Sequence, residues 1–283
     1  MDLQAATLLL SPFPLALLGL CIGSFLNVVI HRLPLMLERG WRRESAELLG
    51  VKVDEPEPIS LASPGSRCTH CAQRIAWYEN LPVLSYVLLR GRCSACKTPI
   101  SPRYPVVEIL TAALFALIGW RFGPHPVALL WCTFAAVLVT LAGIDWDTTL
   151  LPDSITMPLL WGGLVASALG WTIPLTDALW GAVVGYLSLW CIYWLFKLTT
   201  GKEGMGFGDF KLLAATGAWL GIKMLLPIVL AASLIGAIVG IVMKLNAALR
   251  EGRYVPFGPF LAGAALLVML AGQSRVLVWL GWA

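Results

Sequence analysis

The chain has 283 residues, of which 58% are hydrophobic before its 27 glycines are counted and only 13% carry charge. Soluble domains hold about 25% charged residues, so this balance, with a mean hydropathy of +0.80 and 13 tryptophans, marks an integral membrane protein rather than a globular enzyme with a large core. Disorder, collagen-like repeats and a disulfide-dense secreted scaffold are excluded together; the net charge of +4 comes without a basic stripe interleaved with aromatics, and nucleic acid is not expected as a partner.

Apolar segments follow one another at residues 8–30, 106–120, 127–144, 154–169, 178–196, 212–222, 225–243 and 257–271. A crossing helix needs about 17–25 such residues. The pattern predicts an all-α polytopic membrane protein, a bundle of about eight transmembrane helices in contact with membrane lipids. The second and sixth segments are short, which leaves six or seven crossings with a re-entrant segment as the alternative. Residues 1–30 contain no Lys or Arg and the positive cluster follows them, so the first segment is expected to be an anchor, not a cleaved signal peptide. The small-xxx-small pairs Gly181/Gly185, Gly217/Gly221 and Gly236/Gly240 are read as packing positions.

Charge divides the chain. Residues 32–105 hold 11 of the 20 Lys/Arg and 7 of the 16 Asp/Glu. Three units are therefore expected: a first transmembrane span (residues 1–31), an inserted polar module (32–105) and a transmembrane bundle (106–283). If the module is cytoplasmic, alternation puts the connections at 145–153, 197–211 and 244–253 on its side, and these four segments carry 17 of the 20 basic residues. The positive-inside rule then places the module in the cytoplasm and both termini outside.

Seven cysteines fall into two groups. Cys21, Cys132 and Cys191 lie singly in apolar segments and behave as small hydrophobes. Cys68, Cys71, Cys93 and Cys96 form two C-x2-C pairs, each followed by an isoleucine, Ile75 and Ile100, four residues after its second Cys. This is close to the four-thiolate zinc pattern, and a reducing compartment disfavours disulfides there. A closed structural zinc in a small ribbon-like module is expected, with Arg67, Arg74, Arg92 and Lys97 favouring the thiolates. The competing readings are a redox pair, which normally uses a single C-x2-C, and substitution of His70 for one ligand.

Outside the module only nine acids remain: Asp2, Glu108, Asp145, Asp147, Asp153, Asp177, Glu203, Asp209 and Glu251. Ionisable groups in or beside spans are costly, so each is a functional candidate. Asp145, Asp147 and Asp153 follow the third apolar segment, and Gly206-Phe207-Gly208-Asp209 opens the sixth. Two aspartates brought together resist double ionisation and share a proton, one acting as base toward water while the other polarises a peptide carbonyl. The plainer reading makes these acids solvated helix ends or N-caps, and spacing alone does not bring Asp145 to Asp209.

At these residues the chain resembles the bacterial type IV prepilin peptidases, bifunctional leader peptidases and N-methyltransferases. The resemblance runs through residues 23–34, the paired knuckles, residues 77–82, Arg103-Tyr104-Pro105 and both Asp segments, and residues 204–211 are similar to the Gly-x-Gly-Asp motif of presenilin-like intramembrane proteases. It implies Asp145 and Asp209 as the catalytic pair, Asp147 and Asp153 as supporting residues, and type IV prepilins and type II secretion pseudopilins as substrates. It further implies cleavage after the Gly that ends a short basic leader, at the cytoplasmic face of the bacterial inner membrane. S-adenosylmethionine-dependent methylation of the new N-terminal residue, usually Phe, follows. No Gly-x-Gly-x-x-Gly loop marks a methyl-donor site, and the resemblance assigns methylation to the cysteine module. A homo-oligomer is left open.

Readings from other classes are a proton- or cation-coupled transporter with a regulatory zinc module, in which Asp145 and Asp209 form a relay, and a thiol oxidoreductase. Against the transporter, the acids lie at one membrane edge rather than the midplane, and no inverted repeat is evident.

Overall fold

Long runs of Leu, Ile, Val and Ala close their backbone hydrogen bonds within the segment, as a chain in lipid must. The computed structural model describes residues 7–51, 59–245 and 255–282, and among them it has helices, two isolated antiparallel bridges and no strand. Asp2, Lys52, Asp54, Glu55, Glu57, Arg250, Glu251 and Arg253 of the charge count lie outside the described residues. Five helices are long and apolar enough to cross a membrane, and a sixth is reached if a bent pair counts as one span. The all-helical, multi-pass class is thus present, whereas a count of eight is not confirmed, because two of the expected spans form helices of only 16 and 14 residues. The chain divides into two compact units, residues 1–136 and 137–283.

In the first unit, α1 (Pro12–Leu49) continues well past the expected end of the first span. Pro34 lies within it, and the Leu-, Glu- and Arg-rich residues beyond favour helix until Gly50 ends it with a left-handed backbone at φ 65°. Its 38 residues span about 57 Å, so its later turns outrun a hydrocarbon core of about 30 Å. Two short segments, a 3-10 turn (Trp77–Asn80) and α2 (Leu84–Leu88), precede α3 (Arg103–Phe122). α3 packs antiparallel on α1: a Cβ on Gly19 would stand 2.7 Å from Ala112 Cα, and one on Gly23 2.7 Å from Glu108 Cα. Arg32, on α1, donates from Nη1 to the Ser60 carbonyl (3.0 Å) and from Nη2 to the Pro64 carbonyl (2.7 Å), tying the module's first loop to the helix.

The helix α4 (Val127–Thr148) carries the boundary between the units. The second unit continues with α5 (Asp153–Ala168), α6 (Leu175–Thr200), α7 (Phe207–Leu220), a 3-10 turn (Ile222–Met224), α8 (Leu225–Leu245), α9 (Gly258–Ala271) and α10 (Gln273–Trp279), the last two meeting at a 100° bend. The core sits around α7, eleven of whose 14 residues are buried. A Cβ on Gly181 of α6 would run into the Gly217 carbonyl of α7, and one on Gly185 would stand 2.8 Å from the Leu213 carbonyl oxygen. Two of the small-xxx-small spacings therefore meet one another. On the other side Trp219 donates from Nε1 to the Leu159 carbonyl at 2.8 Å, joining α7 to α5.

Candidate active site and metal centre

Asp145 lies in the last turn of α4, at the end of a run of apolar side chains, and is 5% exposed. Asp209 is the third residue of α7, where N-terminal backbone dipoles favour an acid, and is 8% exposed. The 63 residues between them form α5, α6 and their connections, and the fold brings the two carboxylates within electrostatic range of each other. The Gly258 backbone N–H at the start of α9 interacts with Asp145, and the Gly206 backbone with Asp209. Asp145 Oδ2 and Asp209 Oδ1 are both buried without a hydrogen-bond partner among the described residues. Each carboxylate thus keeps one oxygen able to hydrogen-bond a water molecule or another donor.

Glycines make this approach sterically feasible. A Cβ on Gly258 would stand 2.5 Å from Asp145 Oδ2, and one on Gly208 would stand 2.7 Å from Leu151 Cβ. Leu151 also lies 3.2 Å from the Gly258 position, so a single side chain fills the space between the two glycine turns. Gly258 and Leu151 were not legible as site residues. The only signal was Pro256-Phe257-Gly258-Pro259 punctuating the start of the last apolar segment.

The other two aspartates stand apart. Asp153 opens α5 and accepts two bonds from Lys211 Nζ of α7, each 2.7 Å, linking the turn after Asp145 to the helix that bears Asp209. Asp147 is exposed at the end of α4. Near Asp209 in sequence, Phe207 and Phe210 cluster with Tyr193 of α6, with ring centroids 5.2–5.7 Å apart. Lys197 Nζ, on α6, holds Glu203 at 2.8 Å and the Tyr193 hydroxyl at 3.1 Å, fastening the loop that leads into α7.

In the first unit the four sulfurs of Cys68, Cys71, Cys93 and Cys96 lie within 4.8 Å of one another, with Cys68 Sγ 3.8 Å from Cys96 Sγ. Tetrahedral thiolate ligation at about 2.3 Å per bond requires sulfurs about 3.8 Å apart, so the cluster fits a metal site. The sequence repeat is also a backbone repeat. Cys68 N–H donates to the Gln73 carbonyl and Cys93 N–H to the Thr98 carbonyl, each at 2.9 Å. Ala72 and Lys97, each following the second Cys of its pair, have φ near +60°, at 57° and 60°. Hydrogen bonding to the Thr98 side chain and backbone brings the Cys96 thiol down to about 6, while, against a lowering hydrogen bond to the Gln73 backbone, burial and the neighbouring sulfurs push the Cys71 thiol up to about 11. His70 is exposed and is not part of the cluster.

A polytopic helical protein with two communicating buried carboxylates in one unit and a four-cysteine metal-type cluster in the other defines a narrow class of membrane protein. Residues 17–122 match the bacterial peptidase A24 N-terminal domain, and residues 132–241 match the type IV leader peptidase family. The chain is 53% identical to a prepilin leader peptidase/N-methyltransferase of Pseudomonas putida, over 91% of this chain and 89% of that one. It is 48% identical to the protein of that name in Pseudomonas aeruginosa (94% and 92% covered) and 46% identical to the one in Neisseria gonorrhoeae (95% and 94%). No solved structure matches. The chain belongs to the type IV leader peptidase family, and nothing among these relatives supports the transporter reading.

Proposed function

We propose that this chain removes the short basic leader from type IV prepilins and type II secretion pseudopilins after its terminal Gly, and then N-methylates the new N-terminal residue, usually Phe, from S-adenosylmethionine. Family membership supports the substrate class, because the relatives carry that double name. The observation that carries the hydrolytic half is the buried pair Asp145 and Asp209, each with one oxygen free of partners among the described residues.

In this reading the pair holds one proton between its two carboxyl groups, as like charges so close do not both ionise. The ionised aspartate removes a proton from water as the water oxygen bonds to the glycyl carbonyl carbon. The protonated partner hydrogen-bonds the carbonyl oxygen as it gains charge. Collapse breaks the C–N bond, and a proton passes to the departing nitrogen, leaving a carboxyl-ended leader and a free α-amine. Gly258 N–H orients Asp145, and the Lys211–Asp153 pair braces the turn behind it.

The 17-to-3 distribution of basic residues supports a cytoplasmic position for the module and for both aspartates, at the inner membrane of a bacterium. In that orientation α5 and α7 cross as well, making eight passes. At 16 and 14 residues they are about 24 and 21 Å long, which thins the bundle and shortens the path of water to the pair. Cys68, Cys71, Cys93 and Cys96 hold a structural zinc that fixes the module. The experiment is intact-mass analysis of a model prepilin incubated with purified enzyme, with and without methyl donor. Wild type yields the shortened chain, plus one methyl group when donor is present. Asp145→Asn or Asp209→Asn leaves the precursor whole, and normal cleavage by either variant would overturn the assignment.

A further inference from the structure

A third buried carboxylate, in the first unit, takes no part in the proposed hydrolysis. Glu108 is 7% exposed, one turn into α3 from Tyr104. Its Oε2 accepts the Val83 backbone N–H at 2.8 Å, and the Ser24 hydroxyl of α1 also hydrogen-bonds to it. Val83 holds that N–H in place with a backbone φ of 59°, a left-handed conformation that a β-branched residue rarely adopts.

One turn along α1 from Gly23, which packs on Glu108, stands Asn27, 2% exposed. Its Nδ2 donates to the Gly23 carbonyl (3.2 Å) and the Tyr104 carbonyl (3.1 Å), which fixes the orientation of the amide. Its Oδ1 is buried and has no partner among the described residues. Ser24, Asn27 and Glu108 thus present a carboxyl group and an orphan acceptor on facing turns of two helices, and such a place takes an N–H donor. Arg103 and Tyr104 precede Glu108 by about one turn of α3, and His31 and Arg32 follow Asn27 by about one turn of α1, Arg32 being held by the Ser60 and Pro64 carbonyls.

We infer that Glu108, with Asn27, receives the α-ammonium group exposed by leader removal and accepts its proton for methyl transfer. The inference rests on the proposed methyltransferase reading and names the group that activates its acceptor. An α-ammonium, with an ordinary pKa of about 7.7–8.0, has no free electron pair until deprotonated. Glu108 carboxylate takes one proton, and the freed amine nitrogen bonds to the donor's methyl carbon. The carbon–sulfur bond breaks with its electron pair moving to sulfur, giving a neutral thioether and a methylated ammonium.

The test uses the full chain and a synthetic peptide that already begins at the mature Phe, so hydrolysis plays no part. Glu108→Gln keeps an oxygen for the Val83 N–H and so preserves the clamp. It is expected to lower methylation about a hundredfold at pH 7. Its residual rate is expected to rise about sevenfold between pH 7 and 9 as free amine accumulates, while the wild-type rate stays flat. Glu108→Asp is expected to recover part of the rate with the flat profile, and prepilin cleavage by Glu108→Gln is expected at wild-type level. Methylation by Glu108→Gln at the wild-type rate, or a loss with an unchanged pH profile, would overturn the inference. The methyl donor carries an α-ammonium too; a raised KM for S-adenosylmethionine with an unaltered pH profile would mean the site holds the donor and would overturn the assignment to the substrate. No methylation of the peptide by wild type would instead overturn the methyltransferase reading itself.

Discussion

Adding one methyl group at Gly258 probes the proposed catalytic pair without substituting either carboxylate. An alanine Cβ there would sit 2.5 Å from Asp145 Oδ2 and 3.2 Å from both Asp145 Cγ and Leu151 Cδ1. Ordinary van der Waals contact begins near 3.4 Å, so the carboxylate must retreat by about 0.9 Å. Leu151 closes one direction of escape. A displacement near 1 Å in a reacting group costs about a hundredfold in rate, and Gly258→Ala is expected to lower prepilin cleavage by about that factor. The fold should persist, because Gly258 is not among the positive-φ glycines and alanine suits a helix. Gly263→Ala on the same helix is the control: its Cβ would meet nothing within 4 Å, so cleavage is expected to stay at the wild-type rate. Initial rates by intact mass, beside thermal unfolding in detergent, separate the two effects. A folded Gly258→Ala enzyme cleaving within about threefold of wild type would refute the argument, since a pair positioned to react does not tolerate that shift.

Metal analysis of the purified chain is expected to find about one zinc per molecule, and Cys93→Ser is expected to lose it, with thiol-reagent labelling of Cys68, Cys71 and Cys96 rising as the cluster opens. Gly181→Ala forces a methyl group into the Gly217 carbonyl and is expected to destabilise the second unit by about 1–3 kcal/mol, read as a lower unfolding midpoint in detergent. The Lys211–Asp153 pair is partly exposed, at 29% and 60%, so Lys211→Met is expected to cost no more than about 1 kcal/mol and to change cleavage less than about threefold. A large stability loss in that variant would show the bridge to be better shielded than its exposure indicates.

The cysteine module was legible because its chemistry is local. Two identical C-x2-C spacings point to one ligand set, and the left-handed turns at Ala72 and Lys97 repeat the pattern in three dimensions. The Gly181/Gly185 and Gly217/Gly221 pairs were equally readable as close-approach surfaces, although that they meet each other was not. Helix ends were less legible. The apolar run stops at Ile30, yet α1 continues to Leu49, because helix propensity in the following Leu-, Glu- and Arg-rich residues outlasts the hydrophobicity that marked the span.

What the linear order determined was the membrane class, the concentration of charge in one segment and the short roster of acids, all of which are read residue by residue. That Asp145 and Asp209 lie close enough to feel each other's charge, that Gly258 leaves room for one of them, and that Asn27 stands beside Glu108 came only from the packed helices. Those proximities depend on which backbone surfaces approach most closely. A glycine 113 residues from Asp145 decides one of them, and no spacing along the chain encodes such a contact.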